Sequence, residues 1–147
     1  MVDVSPKAVT RRIARASGSL TMSREALDQL ASSRLPKGDA LAVARVAGIQ
    51  AAKETSRLLP LCHPLPLDHV AIDVEFQPQL PGVLVTAEVI VTARTGAEME
   101  ALVAVSGALL AIYDMAKSVD RSMTLNAIQL EEKSGGASGT YVREQGQ

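Results

Sequence analysis

Residues 98–119 of the chain read EMEALVAVSGALLAIYDMAKSV, and this stretch decides the fold. Between Ala101 and Tyr113 almost every residue is apolar, which predicts a helix over roughly Glu98–Val119 that is buried on nearly every side. Such a helix needs other elements packed around it in one hydrophobic core. Because the apolar run is too short to span a bilayer, we expect the core helix of a globular protein.

Two segments before this helix carry the alternation of β-strands. In His69–Gln77 and in Val83–Thr92, every second residue is apolar over most of the length, which predicts strands with one buried face. The turn signal Leu80-Pro81-Gly82 between them predicts a hairpin. An extended segment over residues 8–22 and a last long strand over Met123–Glu131 complete the predicted strands.

Capping residues indicate two further helices. Ser23 is the predicted N-cap of a helix over Arg24–Ser32, and Asp39 is that of a second helix. The second helix is predicted to run to about Leu59, since Pro60 stops it. Its helical spacing is carried by Ala42, Val46, Ile49 and Lys53.

The order of elements is therefore strand, helix, helix, strand, strand, helix, strand. It predicts an α+β fold: a ferredoxin-like antiparallel sheet with helices packed on one face. Since no repeat or linker divides the sequence, residues 1–147 are expected to form a single domain, with a flexible tail from about residue 134.

The composition limits the classes of function. The chain is 47% hydrophobic but only 2% aromatic, so small apolar side chains must build the core, and self-association would add to their limited buried area. The net charge of −1 argues against nucleic acid or a membrane surface as partner. One cysteine excludes an intrachain disulfide framework, and residues 1–7 lack the apolar run of a signal peptide, so we expect a cytoplasmic protein.

The segment Leu61-Cys62-His63-Pro64 is the first candidate for chemistry, because neighbouring prolines stiffen the loop around it. The same pattern also suits a proline-rich connection without function. A zinc site would need carboxylate ligands, because the chain has only one other histidine, His69, and no second cysteine. A catalytic Cys–His pair is disfavoured, because neighbours in an extended segment point apart. No metal site is predicted.

The two ends of the long helix are the second candidate. The helix dipole favours Glu98 and Glu100 at the amino end, but it does not explain Asp114 near the carboxyl end. Asp114 and Lys117 share a face, so they could form a surface ion pair or act as proton donor and acceptor. Glu100 and Asp114 are about 21 Å apart at about 1.5 Å per residue. If both ends act on one small substrate, the site must combine two subunits.

Two basic segments could contact anions. Lys37-Gly38-Asp39 precedes a predicted helix and is a candidate anion-binding corner, and Lys133-Ser134-Gly135-Gly136 could wrap phosphates. Neither the P-loop nor the dinucleotide-binding glycine pattern is present.

Several motifs together resemble the MoaC family, the cyclic pyranopterin monophosphate synthases of molybdenum cofactor biosynthesis. The resemblance runs from residue 1 to about Gly139, and its L-C-H-P-L and T-G-x-E-M-E-A-L blocks are highly specific. The motifs are Met1–Ser5, Lys37–Asp39, Ala47–Lys53, Leu59–Leu65, Thr95–Leu102, Ile112–Lys117 and Lys133–Gly136.

The resemblance implies a lyase that converts 3′,8-cyclo-7,8-dihydroguanosine 5′-triphosphate into cyclic pyranopterin monophosphate and pyrophosphate. It implies no tightly bound cofactor, although Mg²⁺ could accompany the triphosphate. It also implies a homo-oligomer, a hexamer built as a trimer of dimers with its sites at the dimer interface.

The resemblance further assigns roles to residues. Asp114 would be the catalytic acid/base, with Lys117 beside it and Lys37 as a second proton-transfer group. Arg94 stands where relatives often carry lysine, and Ala116 where relatives can carry cysteine. The expected substrate-binding residues are Leu61, Cys62, His63, Met99 and Glu100, with Arg12 and Lys133 as phosphate or loop contacts.

Two other functions remain open from the residues alone. One is a general nucleotide or pterin hydrolase that uses Asp114 and Lys117. The other is a non-enzymatic ferredoxin-like oligomer that binds a small anionic ligand for regulation.

Overall fold

The structure, a computed structural model, describes residues 1–144; residues 145–147, the end of the predicted flexible tail, lie outside the described residues. The order of elements predicted from the sequence is confirmed, with one short helix and one short strand added. The elements are β1 (Thr10–Thr21), α1 (Arg24–Ala31), α2 (Ala40–Lys53), α3 (Thr55–Leu58), β2 (His69–Gln77), β3 (Gly82–Ala93), α4 (Glu98–Ala116), β4 (Thr124–Ser134) and β5 (Tyr141–Val142).

The sheet is antiparallel throughout, in the order β2-β3-β1-β4-β5. The alternation in β3 predicted its buried face correctly, because Val83, Val85, Val89 and Val91 are all buried. The predicted hairpin is confirmed by the pairing of Gln77 with Gly82. The first four strands lie in the ferredoxin-like order, so the predicted α+β class is confirmed.

The core helix α4 packs against α2 and against β1, β3 and β4, while α2 contacts β2. Small residues allow α2 and α4 to approach closely. A Cβ atom at Gly107 would lie 2.5 Å from the Cβ of Ala51, and one at Gly48 would lie 3.0 Å from the carbonyl oxygen of Ala104. Close helix packing is therefore the consequence of the Ala- and Gly-rich composition.

Both predicted N-caps are confirmed. The Ser23 hydroxyl accepts from the Ala26 amide at 3.2 Å, and Asp39 Oδ1 accepts from the Leu41 and Ala42 amides at 3.0 Å each. These bonds satisfy amide groups that the helix itself leaves without partners.

The helix predicted to run to Leu59 was wrong in two respects. It is interrupted at Glu54 (φ −95°, ψ 3°), after which α3 adds one turn. Its buried face consists of Ala40, Ala44, Gly48 and Ala52, whereas Val46 is 68% exposed. The reason is steric: only small side chains fit against α4, so the larger residues point outward.

The long helix α4 is also less enclosed than predicted. Its residues Ala101, Ala104, Val105, Ala108, Leu109 and Ile112 are buried, but Leu110 is 57% exposed. By length and composition alone, the whole of α4 is long and apolar enough to cross a membrane, although the apolar run from Ala101 to Tyr113 is shorter than a membrane span. In the structure α4 packs against the sheet and is the core helix of the fold.

The last strand differs as well. It extends to Ser134, because Ile13 of β1 pairs with that residue. β5 then pairs Tyr141 and Val142 with Lys133 and Glu132, in a part of the chain where no strand was predicted.

Candidate active site

A cavity of about 450 Å³ lies at the amino end of α4. The stiff loop after α3 forms one wall and the first turn of α4 forms another. The structure brings together five of the residues predicted to bind substrate, since Leu61, Cys62, His63, Met99 and Glu100 all line this cavity. The other lining residues are Val2, Val4, Lys7, Leu65, Thr95, Gly96 and Glu98.

Glu100 is the buried carboxyl of this cavity, with only 4% of its surface exposed. Burial raises the pKa of Glu100 above its ordinary value, and the nearby charge of Glu98 adds to the effect. A carboxyl whose protonated form is favoured in this way is a better proton donor than an exposed glutamate.

The surroundings of Cys62 make its thiol a poor nucleophile. Burial raises the pKa of Cys62, and the negative charge of Glu100 raises it further. The thiol rather than the thiolate is therefore favoured, and only the thiolate is a good nucleophile. This agrees with a space-filling role for Cys62 beside a ligand.

Arg12 and Lys133 lie at the same end of α4, in a narrow cleft that shares Gly96 and Glu98 with the cavity. The guanidinium of Arg12 donates to the carbonyl oxygens of Ala93 and Arg94, both at 3.1 Å. Lys133 contacts the Ser138 hydroxyl.

The glycines after Lys133 make room for Arg12. Gly136 has a φ of +76°, and a Cβ atom there would lie 2.3 Å from Arg12 Nη1. Glycine suits this position both by its backbone angle and by its lack of a side chain.

The three residues predicted to be catalytic form a cluster at the carboxyl end of α4. Lys37 Nζ lies 2.5 Å from Asp114 Oδ2, and Lys117 Nζ lies 2.7 Å from Asp114 Oδ1. All three side chains are about half exposed. Lys37 also donates to the Asp114 carbonyl oxygen at 3.2 Å, where the helix leaves carbonyl groups without partners.

The two lysines set the charge state of Asp114. Hydrogen bonds from Lys117 first, and then from Lys37, lower the pKa of Asp114 to about 2. At neutral pH the cluster is a carboxylate held between two ammonium groups.

The anion-binding corner predicted at Lys37-Gly38-Asp39 was wrong in its detail. The Asp39 carboxylate itself occupies the amide groups of Leu41 and Ala42, so they are not free for an outside anion. Lys37 instead points to Asp114, across a bend in which Gly38 has a φ of +97°.

The predicted site residues thus fall into two groups at opposite ends of one helix. Glu100 and Asp114 are fourteen residues apart in α4, which corresponds to about 21 Å along the axis. One small molecule cannot contact both groups within one chain. Among residues 1–144, no group of three or more His, Cys, Asp and Glu side chains lies close enough together to hold a metal ion.

Lys7 is a residue of this cavity that the sequence did not predict. This residue lines the cavity, and its carbonyl oxygen accepts from Arg94 Nε at 3.2 Å. A single lysine after Met1–Ser5 was the only signal in the sequence, and nothing local shows that the chain returns to the start of α4.

The fold and the two groups together define a ferredoxin-like α+β protein with polar clusters at both ends of its core helix. The model of the MoaC family matches residues 1–136. The chain belongs to the MoaC family.

Curated relatives cover almost the whole chain. A protein of Methylobacterium nodulans is 54% identical over 144 residues, which span 98% of this chain and 90% of the relative. One of Novosphingobium aromaticivorans is 55% identical over 141 residues, 96% of this chain and 88% of the relative. One of Thermomicrobium roseum is 54% identical over 144 residues, 98% of this chain and 87% of the relative. Each of the three is named cyclic pyranopterin monophosphate synthase.

Proposed function

We propose that this chain is the enzyme that forms cyclic pyranopterin monophosphate in molybdenum cofactor biosynthesis. It acts on 3′,8-cyclo-7,8-dihydroguanosine 5′-triphosphate and releases pyrophosphate. The observation that carries the proposal is the match of residues 1–136 to the MoaC family. At the two ends of α4, this chain has a cavity for a ligand and a cluster of groups that can exchange protons. The cavity, at about 450 Å³, has the volume of a small-molecule site. Lys37 and Lys117, at the other end of α4, supply cations for phosphate oxygens.

In this proposal Lys37 and Lys117 hold the protons that move at the reacting centre. Asp114 is ionised between them, and its pKa of about 2 keeps it from donating a proton in the free protein. When a substrate phosphate draws the ammonium groups away, Asp114 loses the contacts that lower its pKa and becomes a stronger base. The carboxylate and the lysines then exchange protons with the substrate as one unit.

We further propose that each active site combines the amino end of α4 from one subunit with the carboxyl end from another. The separation of about 21 Å between the two groups requires this if both serve one substrate. The helical layer also leaves large apolar side chains uncovered in the single chain, namely Val43 (43% exposed), Val46 (68%) and Leu110 (57%). Uncovered apolar surface of this kind favours association. The proposed assembly is a hexamer, a trimer of dimers, with sites at the dimer interface.

The proposal includes no tightly bound cofactor, and Mg²⁺ would arrive with the triphosphate. It places the enzyme in the cytoplasm, with a small nucleotide-derived substrate and with neither nucleic acid nor a membrane as partner. The net charge of −1 supports the exclusion of nucleic acid and membranes as partners, because both are polyanions and do not attract a chain of this charge.

The test is pyrophosphate release from the cyclic dihydroguanosine triphosphate by the purified protein. The proposal predicts one pyrophosphate for each cyclic pyranopterin monophosphate formed, and no hydrolysis of GTP. Hydrolysis of GTP instead would indicate a general nucleotide hydrolase, and binding without turnover would indicate a regulatory ligand-binding protein. Either result refutes the proposal.

A further inference from the structure

The wall of the cavity at the amino end of α4 carries more carboxyl groups than lysine and arginine side chains. It includes the carboxyls of Glu98 and Glu100. Among the lining residues that the structure describes, Lys7 is the one lysine or arginine. An anionic substrate that enters this cavity would be repelled by the carboxylates unless a cation offset them. Lys7 is placed to do so.

The backbone of Lys7 is fixed although it lies outside every helix and strand. We call residues 2–7 the amino-terminal strap. Within it the Lys7 amide donates to the Val4 carbonyl oxygen at 3.0 Å, and the Ser5 amide donates to Asp3 Oδ1 at 2.8 Å. Arg94 Nε donates to the Lys7 carbonyl oxygen at 3.2 Å and so ties the strap to the end of β3.

The ammonium group of Lys7 is available for a ligand. Within residues 1–144 it takes part in no salt bridge, unlike Lys37 and Lys117, which both bind Asp114. A phosphate at the Lys37–Asp114–Lys117 cluster must compete with a carboxylate that is already bound, whereas a phosphate at Lys7 meets no such competitor. Because the backbone of Lys7 is already held, binding an anion orders only its side chain and not the strap as well.

We propose that Lys7 binds a phosphate oxygen of the substrate, so that the amino-terminal strap is part of the substrate site. This inference rests on the proposed function, since it assumes a triphosphate substrate. Lys7 contributes to binding rather than to proton transfer, because its contact is made equally before and during the reaction. Loss of such a contact raises KM and leaves kcat largely unchanged.

The test compares Lys7→Ala and Lys7→Arg with the wild-type protein in two measurements. The first is the Kd of inorganic tripolyphosphate by calorimetry, and the second is the pair kcat and KM for pyrophosphate release. Lys7→Ala should raise both the Kd of tripolyphosphate and the KM of the substrate by about tenfold to a hundredfold, the range expected for a charged hydrogen bond. The kcat should stay within about threefold of wild type. Lys7→Arg should restore most of both, because the charge is kept.

The matched control is Arg57→Ala, which removes an 82% exposed cation on α3 that lines no described cavity. It should leave Kd and KM unchanged, and all three variants should unfold at the wild-type temperature. Equal tripolyphosphate binding by wild type and Lys7→Ala, or no binding by either, would overturn the inference. A different result would refute the proposed function and leave the role of Lys7 intact. In that case tripolyphosphate would bind in a way that depends on Lys7, but no pyrophosphate would be released.

Discussion

Replacing Asp114 with asparagine removes the carboxylate that holds Lys37 and Lys117 together at the carboxyl end of α4. With a pKa of about 2, Asp114 is ionised at pH 7. Its role in the free protein is therefore to accept hydrogen bonds and to orient the two ammonium groups. Asparagine keeps the size but offers one acceptor oxygen without charge.

The expected loss of turnover is about 10² to 10⁴-fold, the range for removal of a positioned acid–base group. Stability should change little, because the Asp114 side chain is 53% exposed and ion pairs at such positions contribute little. The assay is pyrophosphate release at saturating substrate, together with thermal unfolding. Asp28→Asn, which changes an exposed carboxylate on α1, is the control and should keep full activity. A rate for Asp114→Asn above about a tenth of wild type would refute the assignment of Asp114 to proton transfer.

Three further predictions concern stability. Burial raises the pKa of Glu100 in the folded chain, so its ionised form destabilises the fold at pH 7, and this destabilisation is absent below the unfolded value of 4.5. Glu100→Gln should therefore raise the unfolding temperature at pH 7 but not at pH 4, while it lowers turnover; an equal shift at both pH values would contradict the reasoning. Gly107→Ala should destabilise the fold by about 1–3 kcal/mol in urea unfolding, because its methyl group meets that of Ala51, and adding Ala51→Gly should recover part of the loss. Ser23→Ala should cost about 1 kcal/mol in the same assay through the lost cap of α1, and an unchanged midpoint would show that the cap contributes nothing.

Most of the fold was predictable because its signals are local. Alternation in β3 and caps at Ser23 and Asp39 each depend on a few neighbouring residues, and each was confirmed. The buried face of α2 was not predictable from hydrophobicity. Gly48 is buried because no side chain fits between it and Ala104 of α4, whereas the larger Val46 lies on the exposed side of α2.

The candidate site was predictable only within each segment. The spacing of Asp114 and Lys117 predicted their contact, since residues three apart share a helix face. The third member, Lys37, comes from a loop 77 residues earlier, and no local pattern shows that it reaches Asp114. Lys7 was missed for the same reason, because its place in the cavity depends on the path of the whole chain.

The shared active site is tested most directly by mixing two inactive variants, Glu100→Gln at one end of α4 and Asp114→Asn at the other. Co-expressed with two different affinity tags in equal amounts, the two chains form mixed dimers in which one of the two sites has both ends intact. Random pairing then predicts about a quarter of the wild-type rate of pyrophosphate release, although each variant alone is nearly inactive. A co-expressed sample no more active than the average of the two variants would show that no site is built from two subunits.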